Sequence, residues 1–254
     1  MQVICIMKGM ILVNILFFTF LGSILSLAGS FLLLTKRGLT EKLSNQLLNF
    51  AAGALLASAF LDLLPEALEF AGENDIFLWA LAGFISFFFA ERFIQAFHHH
   101  HAHGQEASTF LILIGDGVHN FIDGVTITTA FLTSIPLGIT TSLAVAAHEV
   151  PQEIADMGVL LTNGLSRSRA LFYNFLSALT SVAGALLAFF FASFIENYLY
   201  IFLAVTAGHF IYIAASDLIP VLHEKYAQDR KMLNGGLFLL GIVIVYFFRV
   251  LFEG

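Results

Sequence analysis

His119-Asn120-Phe121-Ile122-Asp123 and His148-Glu149-Val150-Pro151-Gln152-Glu153 are the two stretches on which the reading of this chain turns. Each lies near the middle of a long apolar run. His119 and Asp123 are four residues apart, as are His148 and Gln152, and Glu149 and Glu153. Residues at that spacing share one face of a helix. Ionisable groups are costly inside a bilayer, so their presence there implies a task.

The surrounding composition makes the bilayer the expected setting. Hydrophobic residues form 59% of the 254-residue chain and charged residues 11%, against roughly 45–50% and about 25% in soluble domains. The formal charge of −7 argues against nucleic acid as a partner. One cysteine, Cys5, excludes an internal disulfide framework and a thiolate zinc site. The first apolar run is too long for a signal peptide and is expected to be a span of the mature chain. The expected fold is an all-α polytopic membrane protein and a single transmembrane domain, 1–254.

Eight spans are predicted: Ile11–Leu34, Leu47–Leu68, Ile76–Phe97, Thr109–Phe131, Leu137–Leu161, Ala170–Ile195, Leu199–Val221 and Leu233–Phe252. Each approaches the roughly 20 residues a membrane helix needs. Lys36, Arg37, Lys42, Arg92, Arg167, Arg169, Lys225, Arg230 and Lys231 then fall on one side, and Lys8 and Arg249 on the other. Positive loops stay cytoplasmic, so both termini are expected outside. His98, His99, His100, His101 and His103 fall in a cytoplasmic loop at about 98–108, read as a loose metal-binding or sensing loop.

An internal repeat supplies symmetry. Gly53, Ala59, Asp62, Leu63, Pro65 and Glu69 match Gly208, Ala214, Asp217, Leu218, Pro220 and Glu224 without gaps. These residues lie in spans two and seven, which run in opposite directions. Spans one to three (about 11–97) and six to eight (about 170–252) are therefore expected to be inverted repeats. The central pair (about 109–161) lies between them. Inverted repeats around a midplane site mark transporters. Asp62, Glu66 and Glu69 are expected at an outer entrance, and Asp217, His223 and Glu224 at an inner exit.

His119 and His148 each lie roughly 15–20 Å from both ends of their spans at 1.5 Å per residue. The short connection at Ser134-Ile135-Pro136 lets spans four and five pack antiparallel, so their ligand faces meet. A lone intramembrane histidine or asparagine is usually a helix–helix hydrogen-bonding group. That reading does not account for seven polar residues, three of them carboxylates, with no lysine or arginine nearby. A bound cation is the natural neutraliser. Imidazole with carboxylate and amide oxygen suits Zn²⁺, Fe²⁺, Mn²⁺ or Co²⁺, whereas Ca²⁺ and Mg²⁺ prefer oxygen alone. Two adjacent ions sharing Asp123 or Glu149 are compatible with this many ligands. Pro151 cannot donate to the Ala147 carbonyl, which leaves a free backbone oxygen beside His148.

The two motifs resemble those of the ZIP (Zrt/Irt-like) metal transporter family. His119 to Gly124 fits the pattern His-Asn-x-x-Asp-Gly. His148, Glu149, Pro151 and Glu153 fit His-Glu-x-Pro-His-Glu, the pattern of the LIV-1 branch. The resemblance implies zinc uptake into the cytosol, with His119, Asn120, Asp123, His148, Glu149, Gln152 and Glu153 lining the transport site. It also implies a two-metal centre, with Asn174 and Ser177 as additional candidate ligands, and a homodimer. Gln152 departs from the pattern by replacing a histidine. A weaker amide ligand there is expected to loosen selectivity toward iron, manganese, cobalt or cadmium.

Two rival functions fit part of the pattern. His148-Glu149 resembles the start of an intramembrane zinc protease motif, but Gln152 stands where the second histidine belongs. A metal sensor or receptor would bind the ion without moving it. The compact chain and short loops suggest a prokaryotic inner membrane, with a eukaryotic organelle membrane as the alternative.

Overall fold

The computed structural model describes residues 2–100, 105–228 and 233–253, and every regular element among them is helical. In chain order these are α1 (Gln2–Thr35), α2 (Arg37–Ala57), π1 (Ser58–Leu63), α3 (Leu64–Ala71), α4 (Ile76–His100) and α5 (Gln105–Thr133). They continue with α6 (Ile135–Thr162), α7 (Arg167–Phe190), α8 (Ala192–Asn197), α9 (Leu199–Tyr212), π2 (Ile213–Leu218), α10 (Ile219–Gln228) and α11 (Leu233–Glu253). Among the described residues, five stretches are long and apolar enough to cross a membrane: Gly9–Thr35, Leu43–Ala71, Ile76–Phe93, Arg167–Phe190 and Leu199–His223. Helices α5 and α6 carry the polar motifs. Their large apolar side chains face outward beside those of α1, α4 and α11, among them Val13, Phe77, Phe89, Ile114, Leu143 and Val243. Large apolar side chains exposed in such number suit lipid and not water.

The helices approach closely because glycines remove the side chain at each crossing. A Cβ on Gly124 would stand 1.9 Å from the Ser181 carbonyl oxygen, and one on Gly184 2.1 Å from that of Phe121. This reciprocal pair joins α5 to α7. Gly53 and Gly241 join α2 to α11 in the same way, and Gly83 and Gly208 join α4 to α9. These are the three most extensive helix pairings in the molecule. With no hydrophobic drive between helices in lipid, small residues at crossings supply van der Waals contact instead.

Two predicted spans contain a feature that hydropathy does not reveal. Helix α2 widens at π1 and α9 widens at π2, and the two segments sit at the same offset in sequence as the matched Gly53 and Gly208. The Leu64 amide donates to the Ala59 carbonyl, and the Ile219 amide to that of Ala214, each five residues back. Pro65 and Pro220 follow immediately. Neither has an amide proton, so the α-type ladder is broken there, and wide turns of this kind frequently mark functional sites.

The remaining boundaries differ modestly from expectation. The sixth long helix stops at Phe190, and α8 turns separately before α9. The histidine stretch is not all loop: α4 runs through His98, His99 and His100, and α5 begins at Gln105, because nothing before His100 breaks the helix. His101 and His103 lie outside the described residues.

Candidate metal centre

The α5 and α6 motifs meet as the helical spacing requires. One nitrogen or oxygen from each of His119, Asp123, His148 and Glu149 lies within 4.8 Å of the others. The His119 and His148 Nε2 atoms are 3.1 Å apart. Asp123 Oδ2 is 3.4 Å from His148 Nε2, and Glu149 Oε1 is 3.3 Å from His119 Nε2. Ligands about 2.0–2.1 Å from a tetrahedral ion stand roughly 3.3 Å from one another. The four groups therefore frame a space of the right size for one zinc-like ion.

The surroundings orient these ligands. His148 Nδ1 lies 3.2 Å from the Ala144 carbonyl, one turn back on α6. Donation of the Nδ1 proton there leaves the Nε2 lone pair facing the cluster, the usual arrangement for a ligating histidine. The Phe87 ring of α4 packs edge-on against His119, with centroids 5.4 Å apart. Asp123, His148 and Glu149 are buried, and no lysine or arginine lines the adjoining cavities on this side.

A second polar group lies one turn further along both helices. Glu153 is fully buried, and neither of its carboxylate oxygens accepts a hydrogen bond among the described residues. Asp116 Oδ2, Asn174 Oδ1 and Ser177 Oγ are likewise buried without a hydrogen-bond partner. Asn120 donates through Nδ2 to Asp116 Oδ1 at 3.0 Å. Asn174 donates to Ser30 Oγ at 3.0 Å and contacts the Glu153 carbonyl at 3.3 Å, which ties α1, α6 and α7 together. Buried oxygens without donors are costly, and a cation satisfies several at once.

Not every sequence-predicted residue joins the cluster. Gln152 lines a cavity of about 280 Å³ together with Glu91, Asp116, His119, Asp156 and Asp217. Asp62 and Glu66 line a separate cavity of about 190 Å³ with Thr140 and Arg249. Glu69 and His223 are exposed, and the side chain of Glu224 lies outside the described residues. Asp116 and Asp156 are not among the site residues expected from the sequence, although Ile154-Ala155-Asp156 continues the second motif. The signal was present, since Asp116 precedes His119 by three residues and Asp156 follows Glu153 by three, one helical turn in each case.

Comparison with known proteins agrees with this geometry. The family model described as ZIP zinc transporter matches residues 10–108 and 98–249. The chain is 39% identical over 137 residues to zinc transporter ZIP10 of Danio rerio, covering 54% of this chain and 16% of that protein. It is 36% identical over 137 residues to human zinc transporter ZIP6, covering 54% and 18%. It is 39% identical over 123 residues to the metal cation symporter ZIP14 of Mus musculus, covering 48% and 24%. The match thus spans a quarter or less of the length of these relatives. All three are animal proteins, so they lend no support to the prokaryotic inner membrane expected from compactness, while a eukaryotic membrane fits them. The paired motifs, the four-ligand cluster they build and the family match along nearly the whole chain agree: this is a membrane protein of the ZIP zinc transporter family.

Proposed function

We propose that this protein carries divalent metal ions, zinc above all, across a membrane into the cytosol through the site between α5 and α6. The observation behind the reading is the cluster of His119, Asp123, His148 and Glu149, set at zinc-like spacing, with a cavity of about 280 Å³ reaching it at His119 and only a small one, about 20 Å³, at Asp123 and Glu149. His119 lines the larger cavity, which runs past Asp116, Gln152 and Asp156 to Asp217 and Glu91. The cavity at Asp62 and Glu66 reaches none of the four ligands. Between them Ile127 and Phe131 lie one and two turns outward from Asp123 on α5, both buried. Access from one side at a time is what a carrier requires.

Eight spans, outward termini and inverted repeats at about 11–97 and 170–252 complete the proposal. The equivalent placement of π1 and π2 supports the repeat, and so do the glycine crossings. Under the repeat, α2 against α11 becomes α9 against α4, and both pairs are present. In this orientation the wide cavity faces the cytosol. A second ion fits beside the first at Glu149, Asn120, Glu153 and Asn174, where unpaired oxygens collect, with Ser177 at its edge. Gln152 faces the inner cavity as an amide, so iron, manganese, cobalt and cadmium are expected to compete with zinc. The His98–His103 stretch would receive ions on the cytosolic side. The homodimer implied by the family is part of the proposal, and light scattering of the detergent-solubilised protein reads it.

The transporter reading and the protease reading separate in one reconstitution. Purified protein in liposomes should move zinc down an imposed gradient and leave a labelled membrane peptide intact. Peptide cleavage without zinc flux would reverse the assignment. Zinc bound at the cluster with no flux under any gradient would make the protein a sensor.

A further inference from the structure

Arg249 is one of only two basic residues expected on the outer side, and it is half-buried. Its guanidinium donates through Nη1 to the Leu61 carbonyl inside π1. That carbonyl is the acceptor an α-helix would assign to the amide of residue 65, and residue 65 is proline. Arg249 also lines the 190 Å³ cavity with Asp62 and Glu66. Thr140, Leu137 and Pro136 of α6 close the cavity on its other side. A fixed cation therefore occupies the acidic mouth through which the metal would arrive.

We propose that Arg249 is the resident counter-cation of the outer mouth, a residue that sets how readily a divalent ion is captured. This rests on the transport reading. In the conformation seen here, the guanidinium satisfies the oxygen freed by Pro65, and its charge shares one cavity with the two carboxylates. It holds the outer end of α11 against π1 and α6 and keeps the mouth shut while the inner cavity is open. An arriving divalent ion carries twice the charge on a small radius. It takes over Asp62 and Glu66, displaces the guanidinium and thereby unlatches α11. Arginine suits the role because its planar fork reaches a carbonyl and a carboxylate together, which an ammonium does less well. The inner cavity has no such cation among its lining residues, which makes Arg249 a property of one mouth and not of the repeat.

The test uses the full chain in proteoliposomes, with Cys5→Ser as background and Thr140→Cys as a reporter read by a membrane-impermeant maleimide. Arg249→Ala and Arg249→Gln should lower the KM for zinc uptake by about two- to fivefold, the range of a partly exposed ion pair. Both should speed labelling of residue 140 several-fold in the absence of zinc. Arg249→Lys keeps the charge and should hold KM near the parent value. Added zinc should speed labelling in the parent and change it little in Arg249→Gln. Unchanged or raised KM in Arg249→Gln, with unchanged labelling, would overturn the proposal. His119→Ala/His148→Ala keeps the two failures apart. It should abolish flux yet preserve the labelling difference between Arg249 and Gln. Normal flux in that variant would instead sink the transport site.

Discussion

The two mouths of this molecule are built from the same device and left in opposite states. Each begins at a π-helical turn followed by proline, π1 with Pro65 and π2 with Pro220, and each presents an aspartate, Asp62 or Asp217. At the inner mouth Asp217 opens onto a cavity that reaches His119. At the outer mouth Asp62 shares its cavity with Arg249, and buried Ile127 and Phe131 stand between it and the metal ligands. On the proposed transport cycle, the paired sequence supplies paired hinges, and the unpaired residues around them, Arg249 outside and Tyr212 with Glu91 inside, would set which hinge is closed. Tyr212 donates its hydroxyl proton to Glu91 Oε2, which joins α9 to α4 beside π2.

The largest effect tests whether the two halves are equivalent. Gly53→Leu and Gly208→Leu each drive a side chain into a facing backbone, Phe238 or Ala80, at 2.0 Å. Overpacking costs about 1–3 kcal/mol even where atoms can shift, and backbone shifts least. Size-exclusion profiles should show little folded protein for both, whereas Gly158→Leu, with no neighbour within 4 Å, should purify normally. A folded Gly53→Leu beside an unfolded Gly208→Leu would break the equivalence.

Next in size is a change at the inner cavity. Gln152→His supplies an imidazole where the cavity meets the cluster and should tighten zinc binding by about tenfold, the scale on which metal-site ligands act. Competition by iron and manganese should fall with it, read by uptake in mixed-metal solutions. The capture and release steps then separate the mouths. Asp62→Ala with Glu66→Ala should raise KM by about two- to fivefold, consistent with a partly screened electrostatic contribution. Asp217→Asn should lower the maximal rate more than it changes KM. Matching effects from both would deny that the mouths differ in role.

Acid should have a graded effect. Zinc requires neutral imidazole and ionised carboxylate. As pH falls, protons compete with the ion for these ligands and uptake should decline. The decline should be steeper on the side from which the cluster is reached. Proteoliposomes with each face buffered independently read the difference.

The cluster was legible because four-residue spacing on a helix is rigid: once His119 and Asp123, and His148 with Glu149, were in helices at similar depth, their meeting followed. The second polar shell was less legible. Asp116 and Asp156 lie one turn beyond the motifs, and only the packing of α7 and α4 shows that they face inward rather than into lipid. The π segments could not be read from hydropathy, which is blind to which carbonyl an amide chooses. The repeated Asp-x-x-Pro register marked the place without showing the wide turn. Arg249 counted in the sequence only as a charge on the outer side. Its role depends on α11 crossing α2 at Gly53 and Gly241, a contact between residues far apart in the chain.

On the proposed function, the ion crosses at His119, Asp123, His148 and Glu149. Radiozinc uptake into proteoliposomes by the parent chain and by His119→Ala/His148→Ala tests it most directly. Both should be matched for folded protein and carry alanine at His98, His99, His100, His101 and His103 to remove binding on the cytosolic stretch. The account predicts saturable uptake by the first and a rate near that of empty liposomes for the second. Equal uptake by the two would contradict it.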